Sequence, residues 1–205
     1  MHRFTSKELA FLAMLTCCNS VAELLVGGFL HLVDFSMKGS VLVGINLMVY
    51  TLLFKRIPRF GAITTCGCAT VIVNFLLTGG FKIFALYCIF LEALVVDLLF
   101  CWRGLNNTNI IVAGMAASLT AGLCGLVNSI VFWGIDLNQA ALKMAESPAL
   151  VGHSLALILG VMLLWRLAVG AVFGFLATKV LQLLHPELSR LEGDSPDLTN
   201  RQEMR

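Results

Sequence analysis

Charge is scarce in this sequence. Asp, Glu, Lys and Arg make up 13% of its 205 residues, against 59% hydrophobic residues. Soluble domains run nearer a quarter charged. With a mean hydropathy of +0.90, a water-soluble globular chain is excluded and an integral membrane protein is implied. The formal net charge of +2 comes without a basic patch interleaved with aromatics, so no nucleic-acid partner is expected. Catalytic and energising motifs are missing as well. There is no GxxxxGK[ST] phosphate loop, so the chain is not expected to hydrolyse ATP itself. Neither HExxH nor GxSxG occurs, and there is no Arg-rich sensor helix or channel filter loop. These absences point to a non-catalytic chain.

Proline is rare too, at 4, while glycine reaches 18. That balance suits packed transmembrane helices, where small residues let backbones approach. Seven cysteines look like a motif reservoir, but Cys17, Cys18, Cys66, Cys68, Cys88, Cys101 and Cys124 all fall in apolar runs. Disulfide frameworks belong to small secreted domains, so small buried hydrophobes are the better reading. Cys66-Gly-Cys68 is too short for CxxC spacing, and no second His lies at helical spacing from His31 or His153. No metal and no cofactor are expected. The N-terminal run lacks a small-residue cleavage site and reads as a first span.

What the sequence does have is long apolar segments. Six can be drawn: Leu9–Val33, Ser40–Phe54, Phe60–Leu77, Phe81–Cys101, Ile110–Ile135 and Ala149–Leu184. A span needs about 20 apolar residues. The last is long enough to tilt or to run on into the cytoplasm. The connection over 135–148 reads as a short surface helix. From Pro186 onward the composition turns polar, so 1–185 reads as the transmembrane domain and 186–205 as a disordered tail. Lys7, Lys55, Arg56, Arg59, Arg103 and Lys179 fall on one side of the alternation, Lys38, Lys82 and Lys143 on the other. The positive-inside rule then predicts an all-α protein of six transmembrane helices with both termini cytoplasmic.

Few polar groups lie inside these segments, and a carboxylate at mid-depth is retained only with a partner or a wet cavity. At about 1.5 Å per residue, Glu92 lies roughly 16 Å in from Phe81. Thr16, Asn19, Glu23 and Gly27 recur at three- and four-residue spacing and share one face of the first segment. Asp97 points about 140° away from Glu92 around its helix. Its depth matches that of Arg166, so the two are expected to form a structural ion pair. Glu92 and Glu23 carry two readings, carboxylates hydrogen-bonded within helix packing or the lining of a ligand cavity. Phe81, Phe84, Tyr87, Phe132 and Trp133 favour the cavity, with Asn74 and Asn128 as polar partners. Interfacial belting also accounts for Trp133. Small residues at Ala117, Ala121, Gly125 and at Gly170, Gly174 make close helix contacts, within the chain or with another. Ala10, Ala13 and Cys17 leave a smooth face on the first helix, suited to docking.

This layout resembles the substrate-binding S components of energy-coupling factor (ECF) transporters, closest to the thiamine or hydroxymethylpyrimidine kind. The residues that carry the resemblance are Leu91-Glu92-Ala93 through Trp102-Arg103, and Trp165 through Gly174 followed by Lys179. The resemblance implies capture of a vitamin or similar micronutrient from outside. It also implies docking in the cell membrane on a transmembrane T component driven by two cytoplasmic ATPases. By the same resemblance Glu92 faces the ligand, with Tyr87, Cys88, Asn128, Trp133 and His153 as neighbours. The loop Asp34–Gly39 and the turn Thr78-Gly79-Gly80 would be lid and rim. The family's A-x-x-x-A docking motif reads here as Ala13-x-x-x-Cys17, with Ala10 a turn earlier. Two other classes stay open: an ion-coupled secondary carrier using Glu23 and Glu92, and a cofactor-holding subunit of a membrane complex.

Overall fold

The computed structural model describes residues 4–32, 38–78, 83–131, 134–145 and 153–193. Every element among them is a helix: α1 (Ser6–Leu32), α2 (Lys38–Arg56), α3 (Ala62–Thr78), α4 (Ile83–Arg103), α5 (Asn107–Val131), α6 (Leu137–Ala145) and α7 (Leu155–Gly193). Three stretches are long and apolar enough to cross a membrane, namely Ser6–Gly27, Asn107–Val131 and Leu155–Leu184. Ala62–Leu77 is apolar but shorter. The outer surface carries Leu25, Phe29, Leu76, Leu164, Val172 and Leu183, all exposed. In water that surface would be costly, and in lipid it is not. Among the described residues the chain is all-helical, with a surface and three helices suited to a membrane.

Local chemistry sets the helix ends. Thr5 and Glu8 form a capping box at the start of α1. The Thr5 N–H donates to Glu8 Oε2 at 2.8 Å and the Glu8 N–H to Thr5 Oγ1 at 3.3 Å. Lys55 and Arg56 close α2, where cations complement the helix dipole. The polar turn after α4 works as a clamp. Gly104 takes a φ of 71°, and the Asn109 amide donates to the carbonyls of Arg103 (2.7 Å) and Gly104 (3.0 Å). Orphan carbonyls at the end of α4 are thereby satisfied from the first turn of α5.

α2 is the central post, touching α1, α3, α4, α5 and α7. Its Leu47, Tyr50, Leu53 and Phe54 pack with Ile63 of α3 and with Val96 and Phe100 of α4 in one core. The closest helix pair is α5 with α7. A Cβ on Gly170 would come within 2.5 Å of the Gly114 carbonyl oxygen and 2.6 Å of the Met115 Cα. One on Gly174 would sit 2.6 Å from the Ile111 Cα. The Gly170/Gly174 ladder therefore packs inside the chain, against a glycine at 114 that the spacing of Ala117, Ala121 and Gly125 did not single out. The short helix expected over 135–148 is α6. Its Ala140 and Ala141 are fully buried, and Ala141 packs with Ile158 and Met162 of α7.

One boundary differs. The polar tail expected from Pro186 starts as helix, because α7 continues to Gly193, although its stretch apolar enough to cross a membrane ends at Leu184. Proline forfeits one backbone bond and strains its turn, and the helix accommodates this without ending. Residues 194–205 of the expected tail lie outside the described residues.

Candidate functional site

Helix periodicity decides which polar side chains meet. On α1, Thr16, Asn19 and Gly27 are buried and Glu23 is half-buried, so the stripe faces inward. Each has a neighbour there. The Thr16 hydroxyl donates to Cys66 Sγ at 3.4 Å, and the Asn19 amide donates to Thr70 Oγ1 at 3.4 Å. Asn46 of α2 donates from Nδ2 to Glu23 Oε1 at 2.8 Å. The same amide meets the Glu92 carboxylate, and the charges of Glu23 and Arg166 act on Glu92 as well. Tyr50, one turn below Asn46, places its hydroxyl within range of both carboxylates and beside Asn19. Glu92 is 4% exposed, Arg166 5% and Asn46 2%.

Depth explains why these groups converge. Each is counted along its helix from the same end of the bundle, at about 1.5 Å per residue. Glu23 lies roughly 14 Å from the end of α1 and Asn46 roughly 12 Å from the start of α2. Glu92 lies roughly 14 Å into α4, and Arg166 roughly 17 Å into α7. Four helices thus deliver an acid, an amide, an acid and a guanidinium to one level. Gly122 of α5 makes room for the last. A Cβ there would meet Arg166 Cγ and Nε at 3.2 Å.

The cluster holds buried polar atoms of both kinds that make no hydrogen bond among the described residues, the Tyr50 hydroxyl among them. Asn19 and Asn46 each keep a buried side-chain carbonyl oxygen that takes no hydrogen bond from the described residues. Buried acceptors of this kind are normally satisfied, by protein, by water or by a bound molecule. The arrangement suits an occupant that brings N–H or O–H donors.

Asp97 has a different role from the ion pair expected with Arg166. Its Oδ2 accepts from the Gly61 N–H at 2.8 Å, the Thr64 N–H at 3.1 Å and the Thr64 hydroxyl at 2.7 Å. Its Oδ1 faces Cys101 Sγ at 3.8 Å. Gly61 stands at the N-cap of α3 with a φ of 93° and no side chain to cap with. Asp97 supplies the missing capping oxygen from the neighbouring helix, and a negative charge there also suits the dipole. The physical reason is depth. Asp97 is roughly 7 Å further along α4 than Glu92, and the carboxylate on which Arg166 acts is Glu92.

The other expected ligand neighbours divide. The Tyr87 hydroxyl donates to the Cys124 carbonyl at 2.9 Å, tying α4 to α5. Cys88 lies beside it, near enough to the Cys124 thiol to act on it electrostatically. Asn128 is half-buried on α5, and its Oδ1 takes no bond from the described residues. His153 is exposed ahead of α7 and is not part of the cluster. Trp133 lies outside the described residues, as do Phe81, Phe132, most of the expected lid and the two glycines of the rim. Ala10, Ala13 and Cys17 are all exposed along one side of α1, facing away from the polar stripe. Among the described residues, no group of three or more His, Cys, Asp and Glu is placed to hold a metal ion.

Asn46 and Tyr50 are the residues that reading charges alone passes over. The signal was present: Asn46 is a lone amide in an otherwise apolar stretch. The chain matches no protein-family model, no curated protein and no solved structure.

Proposed function

We propose that this chain is the membrane-embedded substrate-capture subunit of an ECF-type importer. It binds a vitamin or similar small organic micronutrient from outside and docks on a T component powered by two separate cytoplasmic ATPases. On this reading α1, α2, α3, α4, α5 and α7 are six spans with both termini cytoplasmic, and α6 lies at the surface. The observation that carries it is the buried cluster of Glu23, Asn46, Glu92 and Arg166, held at mid-depth in a bundle with an apolar exterior. Intramembrane ionisable groups at a cavity are functional by default, because lipid makes them costly to keep. Two carboxyl groups and the open Asn19 and Asn46 side-chain oxygens favour a cationic or amino-bearing heterocycle. The exposed small-residue face of Ala10, Ala13 and Cys17 is the docking surface, since such faces allow close approach of a second helix.

Glu23 and Glu92 meeting one amide is also what an ion-coupled carrier would use, and one variant separates the two readings. In a capture subunit, Glu92→Gln loses a charge-assisted hydrogen bond to cargo and weakens binding by about 1.5–3 kcal/mol. Titration calorimetry of the purified variant reads this directly. Unchanged affinity together with lost dependence on a proton gradient in proteoliposomes would favour the carrier.

A further inference from the structure

Seven cysteines are present, and none is in a disulfide. Cys17, Cys18 and Cys101 are exposed on the apolar exterior, while Cys66 takes the Thr16 hydroxyl. Cys88 and Cys124 differ from these. They sit on neighbouring packed helices, α4 and α5, near enough for each thiol to act electrostatically on the other. The bond from the Tyr87 hydroxyl to the Cys124 carbonyl, 2.9 Å long, fixes the two backbones at the same level. Counting agrees. Cys88 is roughly 8 Å in from the start of α4, and Cys124 roughly 10 Å in from the end of α5. Both ends lie on the same side of the bundle, so antiparallel packing puts the two sulfurs at one level.

We propose that Cys88 and Cys124 are a modification site: an oxidisable thiol pair that forms a disulfide staple between α4 and α5. Hydrogen peroxide is the co-reactant. One thiol sulfur attacks the peroxide oxygen, the O–O bond breaks, and a sulfenic acid and one water result. The second sulfur then displaces the hydroxyl as a second water, forming the S–S bond. Two thiols lose two electrons and two protons, and the peroxide is reduced to two waters. Thiols this close need little backbone movement to reach disulfide geometry. Cys88 is half-buried and gives the oxidant its approach, while Cys124 is buried and resolves the sulfenic acid without leaving its helix. The staple would hold the helix that carries Glu92, one turn from Cys88, against α5. A covalent link across 36 residues also restricts the unfolded chain. This follows from helix packing alone and stands whatever the bundle binds.

The full chain, reconstituted in lipid nanodiscs, is treated with hydrogen peroxide until exposed Cys101 is oxidised. Remaining thiols are blocked with N-ethylmaleimide without reduction, and the digest is mapped by mass spectrometry. The expected product joins the Cys88 and Cys124 peptides, lighter by two hydrogens than their sum and cleaved by reductant. It is absent from Cys124→Ser and from Cys88→Ser, with no substitute link. Oxidised wild type should also unfold at a higher temperature than reduced, a rise that Cys124→Ser lacks. Maleimide on both residues after Cys101 has reacted would overturn the proposal. So would a dominant link from either residue to another cysteine.

Discussion

Asp97→Ala is expected to destabilise the chain by about 3 kcal/mol, by leaving the N-terminal donors of α3 without an acceptor. Two backbone N–H groups and one hydroxyl converge on a single carboxylate oxygen, and the carboxylate is fully buried. Asp97→Asn keeps one acceptor oxygen and loses the charge, so it should recover about half of that loss. Thermal unfolding in detergent, followed by the far-ultraviolet helix signal, measures the series. The pairing with Arg166 expected from depth predicts something else. Partners in an ion pair are strongly non-additive, whereas separate sites add to within about 0.5 kcal/mol. Combining Asp97→Asn with Arg166→Gln should therefore give the sum of the two single losses. A double variant no worse than either single one would restore the ion pair.

Gly170→Leu should be more damaging still, at about 3 kcal/mol or more, because the insertion falls on backbone. Flexible side chains can move aside for a new methyl group. Here the nearest atoms are the Gly114 carbonyl oxygen and the Met115 Cα, and neither can move without separating α5 from α7. Separation would also pull Arg166, one turn earlier on α7, away from Gly122 and so disturb the cluster around Glu92. The contrasting control is Gly160→Leu on the same helix, where a Cβ meets nothing within 4 Å. It should leave the unfolding temperature nearly unchanged. Equal losses at the two positions would mean that helix propensity, not the α5–α7 contact, sets the cost.

Much of this architecture was legible in the sequence, because lipid leaves few choices. Apolar runs must become helices when there is no water to satisfy the backbone, and each of the six segments contains one. The inward stripe of α1 followed from spacing alone. The Asp97 partner did not, since depth gives the level of a side chain but not its neighbours around the bundle. Asp97 and Arg166 looked matched by level, yet α3 starts beside Asp97 with a glycine that cannot cap itself. The protein groups that reach Glu92 itself were hidden in the same way. Tyr87 and Cys88 share its helix, but their polar atoms turn to α5, while Asn46 and Tyr50 come from α2. The Gly114 contact was hidden for another reason. A ladder search rewards repeated small residues, whereas close approach needs one glycine at the crossing point. The run of α7 through Pro186 shows the limit of composition as a boundary signal, since a polar stretch can continue an established helix.

The measurement that bears most directly on substrate capture is native mass spectrometry of the chain, gently solubilised from its own membrane without added ligand. A capture subunit should carry one small organic molecule, lost on Glu92→Gln, and a fraction should retain a transmembrane companion and ATPase chains. Ala13→Trp should remove those companions while keeping the small molecule. A haem, a metal or redox-complex partners bound in place of an organic cargo would contradict substrate capture.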